Sequence, residues 1–381
     1  MRIDFHASPE PTVGLEWELA LVDRTSRDLV NSAAELFGRV SGRLEHPDKL
    51  HKELLRNTVE IVSGISHTVG EAVEDVRGTL EVVTAAADEM SVDLLGAGTH
   101  PFASWSAQQL TEGHRYEELI NRTQWWGRQM LIWGVHMHVG MPHRDRVMPV
   151  LSGLLRTYPH LLALSASSPV WAGQDTGYAS NRALMFQQLP TAGLPFDFET
   201  WEGYEAFVHD QVVTGVIDEL TEIRWDIRPA AHLGTIENRV CDGVSTLDEL
   251  AALTALVHCL VVDLDARVAA GEHLPVLPPW HVQENKWRAA RYGLDAIVIL
   301  DADSRERLVT DDLHDLLERL EPTARRLGCE AELRSVADIP RRGASYQRQR
   351  QVATESRGDL VAVVDSVVTE LRASLEVPAP R

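Results

Sequence analysis

Glu16 and Glu18 stand two apart in Thr12–Val22 (TVGLEWELALV), where apolar residues alternate with polar or small ones. That alternation marks a half-buried β-strand, and residues i and i+2 of a strand project from one face. The two carboxylates therefore share the face opposite Trp17 and Leu19. Acids this close repel, and each acquires a raised pKa unless a cation lies between them. A divalent metal ion would supply that cation. An exposed, solvated strand face is the other reading of the same pair.

The spacing recurs. His136-Met137-His138 sits between Gly134 and Gly140. Two imidazoles on one strand face, with glycines permitting close approach, suit a metal site. In KELLRNTVEIV (residues 52–62) a turn at Arg56-Asn57 would pair Leu55 with Thr58, Leu54 with Val59 and Glu53 with Glu60. Like charges opposed across a hairpin need a counter-ion; a helix would also put the two acids on one face. Glu237-Asn238-Arg239 sets an acid and a guanidinium on one strand face. They form either a salt bridge or a metal ligand beside a cation aimed at a phosphoryl group. Asp226 and Arg228 in WDIRP repeat the pattern. Together Glu16, Glu18, Glu53, Glu60, His136 and Glu237 could hold two or three hard cations of the Mg²⁺ type, with Mn²⁺ as a substitute, bridging nucleotide phosphates.

Lesser features complete the inventory. Asp175, Tyr178, Ser180, Asn181 and Arg182 occupy a polar segment that reads as a ligand loop. Glu284, Asn285, Lys286, Arg288 and Arg291 populate one helix, which reads as a solvated face. Arg341, Arg342, Arg348 and Arg350 form a basic cluster that suggests local anion binding.

These residues need a scaffold. Residues 71–93 read as one amphipathic helix, 146–167 as one buried helix, and 246–270, 284–293, 311–328 and 357–375 as further helices. Strands are expected in residues 94–101, 130–142, 225–229, 234–242 and 297–300, with mixed signals over 202–220. Residues 1–11 and 376–381 read as loose ends. No internal repeat, linker or composition break appears, so one domain spans 1–381. Strands come in pairs rather than in steady alternation with helices. That pattern predicts an α+β fold with a largely antiparallel sheet.

Composition narrows the function. The 381 residues carry 36 Lys+Arg against 57 Asp+Glu, a formal net charge of −21. Such a chain repels nucleic acid and anionic membranes unless its basic residues cluster. No apolar run is long enough for a membrane span, and no signal peptide is visible, so a cytoplasmic protein is expected. The 3 cysteines lie far apart without a CxxC spacing, which argues against a disulfide framework or zinc ribbon. The phosphate-loop GxxxxGK[ST], GxGxxG, HExxH and GxSxG patterns are absent. A homodimer is the default expectation for assembly.

Taken in order, GLEWEL, HKELLRNTVEIVSG, GTHP, HMHVG, ALSASSPVWAGQDTGYASNR, WDIRP, TIENRVCD, ENKWRAARYG and RGASYQRQR resemble the type 2 glutamate–cysteine ligases of bacteria, also called carboxylate–amine ligases. The resemblance covers roughly residues 12–372. It implies a glutamine synthetase-like fold, a curved antiparallel sheet packed with helices whose concave face binds ATP and metals. It also implies ATP-dependent amide-bond formation through an acyl phosphate, with glutamate and L-cysteine giving γ-glutamylcysteine. By resemblance, the pairs Glu16/Glu18 and Glu53/Glu60 bind Mg²⁺, and His136 is a metal ligand. His138 contacts nucleotide phosphate. Glu237 is the late metal-ligand acid, and Arg239 contacts the transferred phosphoryl group. Arg182, Arg228, Lys286, Arg348 and Arg350 fall near substrate or phosphate. Asn238 stands where the family would carry an apolar residue, on the strand face away from Glu237. Two alternatives share the scaffold: a metal-dependent hydrolase or ATPase, and a non-catalytic ligand-binding regulator. The arginines at 182, 228 and 239 argue against the first, and the presence of all six candidate metal ligands argues against the second.

Overall fold

A computed structural model describes residues 2–376. Its strands, in chain order, are β1 Val13–Asp23, β2 Leu50–Lys52, β3 Thr58–Val62, β4 Val92–Leu95, β5 Gly134–Gly140, β6 Val170–Trp171, β7 Gln174–Asp175, β8 Ile227–Ala230, β9 Thr235–Asp242, β10 Ile297–Ile299 and β11 Glu306–Leu308. Seven of them make one sheet in the order β2-β3-β1-β5-β9-β8, with β4 joined to the far half of β1. Every pairing in it is antiparallel. The molecule is thus α+β with an antiparallel sheet, as the sequence pattern anticipates.

The alternation along β1 carries out its expected task. Val13, Leu15, Trp17, Leu19 and Leu21 are buried in the main core, while Glu16 and Glu18 are only partly covered on the opposite face. The helices Val69–Asp88 and Leu247–Ala269 cover the apolar side. The first of them begins at a capping box, in which Thr68 accepts from the Glu71 amide and the Glu71 carboxylate accepts from the Thr68 amide.

Four local expectations are corrected. The helix expected over 71–93 stops at Asp88. Ser91 turns the chain at φ 56°, and Val92–Leu95 becomes β4. The helix expected over 146–167 is two, Val147–Leu154 and Tyr158–Ser165. Pro159 lacks the amide hydrogen a continuous helix would use and sits instead in the first turn of the second. The tight turn at Arg56-Asn57 is replaced by a five-residue connection, because β2 and β3 pair Leu50 with Ile61, His51 with Glu60 and Lys52 with Val59. Other partners draw that connection away: the Arg56 amide donates to the Gln109 carbonyl, and the Leu21 amide to that of Asn57. Residues 2–11, expected as a loose arm, are tied down. Ile3 is buried and its amide donates to Glu205, while the amides of His6 and Ser8 donate to the Ala231 and Met141 carbonyls. At the other end the helix Leu360–Glu376 is formed, and 377–381 lie outside the described residues.

The helix Pro279–Tyr292 is not the solvated element expected, since Asn285 and Lys286 are buried in it. The Lys286 ammonium lies 2.7 Å from Asp226 Oδ2, which also accepts from the Tyr158 hydroxyl at 3.0 Å. Both charges are about nineteen-twentieths covered. Removing the cation alone strands a buried carboxylate. Lys286→Met is therefore expected to lower unfolding free energy by about 3–5 kcal/mol. Urea denaturation checks this, and an unchanged midpoint would contradict it. Among the described residues no helix is long and apolar enough to cross a membrane.

Candidate active site

Strand register alone assembles most of the polar cluster. Across the sheet Glu60 faces Glu18, Glu16 faces His136, and His138 faces Glu237, which in turn faces Arg228. The pairing of β5 with β9 shifts between Val135 and Met137, where His136 alone lies opposite two β9 residues, Arg239 and Val240. Glu53 comes from the connection after β2 rather than from a strand. These side chains line a cleft of about 360 Å³ with Arg115, Tyr116, Arg182, Arg224 and Arg239. A larger cavity, about 690 Å³, lies among the helices around Arg77, Leu247 and Ile339 and contains none of the cluster. Convergence of charge, not size, marks the smaller cleft as the site.

Glu16 joins the two imidazoles: its Oε2 is 2.8 Å from His136 Nδ1 and its Oε1 is 3.1 Å from His138 Nε2. His138 Nδ1 is held by the Thr235 hydroxyl at 2.9 Å. The Gly134 amide donates to Glu18 at 2.6 Å. Glu237 is clamped between two guanidiniums, receiving Arg228 Nε at 2.6 Å and Arg239 Nη1. Arg182 donates from Nη1 to the Arg239 carbonyl at 3.1 Å.

The electrostatics divide the acids into two sets. Burial raises the pKa of Glu16, but hydrogen bonds and charge from His136 and His138 outweigh it and hold the carboxyl low. Burial likewise opposes the charge on Glu237, and Arg228 and Arg239 overcome it. For Glu18, Glu53 and Glu60 the nearby cations do not outweigh burial. Burial raises all three, and Glu60 is pushed furthest, by burial and then by Glu53, Glu16 and Glu18. Burial lowers the His136 pKa, with Arg239 adding to it and Glu16 and Glu18 opposing it. Burial also lowers the Arg224 guanidinium, to about 10.

The donor set fits divalent cations. Ligand atoms of Glu16, His138 and Glu237 lie within 4.8 Å of one another, as do those of Glu16, Glu60 and His136, and those of Glu18, Glu53 and Glu60. His136 Nε2 is buried with no hydrogen-bond partner and lies 3.9 Å from Glu18 Oε1. The tautomer that donates from Nδ1 to Glu16 leaves the Nε2 lone pair free for a cation. Hard carboxylate oxygens with one or two imidazoles suit Mg²⁺ or Mn²⁺ better than a structural zinc.

A pH-dependent prediction follows from the raised acids. Their stabilising contribution is fullest below the ordinary value of 4.5 and declines as pH climbs through their raised values. A cation replaces the protons. Saturating Mg²⁺ should therefore raise Tm by about 2–5 °C near pH 8 and by less near pH 5.5. Differential scanning calorimetry checks it, and equal shifts at both pH values would contradict it.

Not every sequence candidate reaches the cleft. Lys286 is committed to Asp226. Arg348 pairs with Glu249 and Glu370, and Arg350 with Asp175. The i, i+2 pair of Asp226 and Arg228 does not form, because Arg228 turns to Glu237. Ser180 and Asn181 of the presumed ligand loop are structural: they bond Asp242 and the Ser168 carbonyl. The pattern missed Arg115, Tyr116, Phe186, Arg224 and Thr235. Only Thr235 left a signal, standing two residues before Glu237 on the same strand face.

Against known proteins, the model of glutamate–cysteine ligase family 2 matches residues 12–366. The chain belongs to that family. Its reaction class is accordingly that of an ATP-dependent ligase forming a C–N bond. A relative from Nocardioides sp., provisionally named glutamate–cysteine ligase 2-3, is 74% identical over 98% of this chain and all of its own. One from Nocardia farcinica, provisionally named glutamate–cysteine ligase 2-2, is 67% identical over 97% of this chain and 98% of its own. Among solved structures, the AMP complex of the glutamate–cysteine ligase of Francisella tularensis superposes with TM-score 0.70 at 14% identity, covering 99% of this chain and 91% of that one. The bifunctional glutathione synthetase of Pasteurella multocida gives 0.70 at 14% identity, over 96% of this chain and 53% of that one. These two likenesses speak to the fold.

Proposed function

We propose that the protein joins the γ-carboxylate of glutamate to the amine of L-cysteine at the expense of ATP, giving γ-glutamylcysteine through an acyl phosphate. The observation that carries the reading is the apposition, in one cleft, of three metal-suited acid groups, the buried guanidinium of Arg182 and the partly buried one of Arg239. A carboxylate oxygen attacks the γ-phosphorus and ADP leaves. The amine nitrogen then attacks the acyl carbon, loses a proton, and phosphate leaves.

Each group in the cleft has a task in that sequence. Glu16, Glu18, Glu53, Glu60, His136, His138 and Glu237 would hold Mg²⁺, which when bound neutralises phosphate charge and aligns its oxygens. Arg239 stabilises charge on the moving phosphoryl group, and Glu237, itself fixed by Arg228, aims it. Arg182 adds a second cation, the more deeply buried of the two. Leu54, Met130, Ile132 and Leu189 supply an apolar wall that limits water, which would hydrolyse the acyl phosphate.

Phosphate release by purified protein tests this, with ATP and Mg²⁺ and amino acids offered singly and in pairs. Release that needs both glutamate and cysteine supports the reading. Release with ATP alone favours a hydrolase on the same scaffold.

A further inference from the structure

The geometry points to Phe186 as a positioning residue: its ring is the common surface on which the Arg182 and Arg239 guanidiniums are held for the anion they meet. Arg182 Cζ lies 5.6 Å from the ring centroid and Arg239 Cζ lies 5.7 Å from it. Both are within the reach, about 6 Å, at which an aromatic face attracts a cation. The inference rests on the ligase reading above and goes beyond it.

Two elements deliver the arrangement. Arg182 opens the short helix Arg182–Phe186, and the i, i+4 spacing brings the ring beneath its own guanidinium. Arg239 reaches the same ring from β9. Their like charges oppose this approach. Arg239 has Glu237 as a counter-ion, but Arg182 has no ion pair among the described residues. Arg182 is only 3% exposed, and its Nε is buried without a partner. Gly134 leaves room for it, since an added Cβ there would overlap the guanidinium.

A carboxylate beside Arg182 would hold it just as well and would cancel its charge. The negative face of a ring attracts the cation and leaves that charge available to a phosphoryl oxygen. Phe186 also lies outside the main core, in a small cluster with Met130 and Leu189. There its apolar bulk fills the cluster while its ring face meets the arginine pair.

The test compares Phe186→Leu, Phe186→Tyr and a series of mono-, di- and trifluorophenylalanines at 186. Fluorine drains the ring face with little change of shape. Two readouts are used: kcat for ligation, and affinity for a non-hydrolysable ATP analogue with Mg²⁺. Phe186→Leu should lower both about tenfold, Phe186→Tyr should recover them to within about threefold, and the fluorinated series should fall stepwise, with KM for the amino acids steady. A flat fluorine series, or Phe186→Leu matching the parent, would overturn the inference. Parent protein that ligates no amino-acid pair would overturn the ligase reading instead, and analogue affinity across the same series still decides the role of the ring.

Discussion

Arg239→Ala is expected to reduce kcat for ligation by about 10³-fold with little change in KM for the amino acids, because the lost interaction belongs to the moving phosphoryl group. The geometry explains why no neighbour substitutes. Arg239 Nη1 bonds Glu237 and lies 3.3 Å from His136 Nδ1, so this cation sits at the junction of the acid groups and the imidazoles. Arg228 remains to neutralise Glu237 in the variant, so the site keeps its local charge balance while losing its aimed cation. Arg239→Lys should recover little, since an ammonium lacks the planar fork that can bind two phosphoryl oxygens at once. Steady-state kinetics with both substrates check the split. A variant that retains more than about a tenth of parental kcat would contradict the assigned role.

Glu16→Gln should be at least as damaging, by a different route. Glu16 belongs to two of the three candidate metal groups and is hydrogen-bonded to both imidazoles. The amide removes a hard anionic ligand from both groups and places an NH₂ donor against one histidine or the other. Loss of a ligand should cost metal affinity about 100-fold and activity about 10³-fold or more. Calorimetric Mg²⁺ titration and kinetics on the same sample check it, with circular dichroism confirming the fold. Parental Mg²⁺ affinity in this variant would show that Glu16 is not a ligand.

The parts legible in the sequence share one cause. Glu16, Glu18, His136, His138, Glu237 and Arg239 sit on strands, and period two fixes their facing whatever the strand order. Their assembly across β1, β5 and β9 then follows from antiparallel neighbours in a common sheet. Glu53 was found with the wrong geometry. Its approach to Glu60 is real, but hydrogen bonds far along the chain, not a tight turn, set it. Lys286, Arg348 and Arg350 resembled site residues by type, yet each is held by an acid distant in sequence, at Asp226, Glu370 and Asp175. Pairings of that kind leave no local pattern. The same holds for Cys259 and Cys329, 70 residues apart, whose sulfurs meet at 3.6 Å in the core.

The most direct test of the central claim is isotope transfer. Glutamate labelled with ¹⁸O in its γ-carboxylate is incubated with ATP, Mg²⁺, cysteine and the protein, and the released phosphate is examined by mass spectrometry. Attack by the carboxylate on the γ-phosphorus predicts one ¹⁸O in each phosphate released. Phosphate that carries none, its fourth oxygen coming from the unlabelled water, would contradict the acyl-phosphate account and identify a hydrolase.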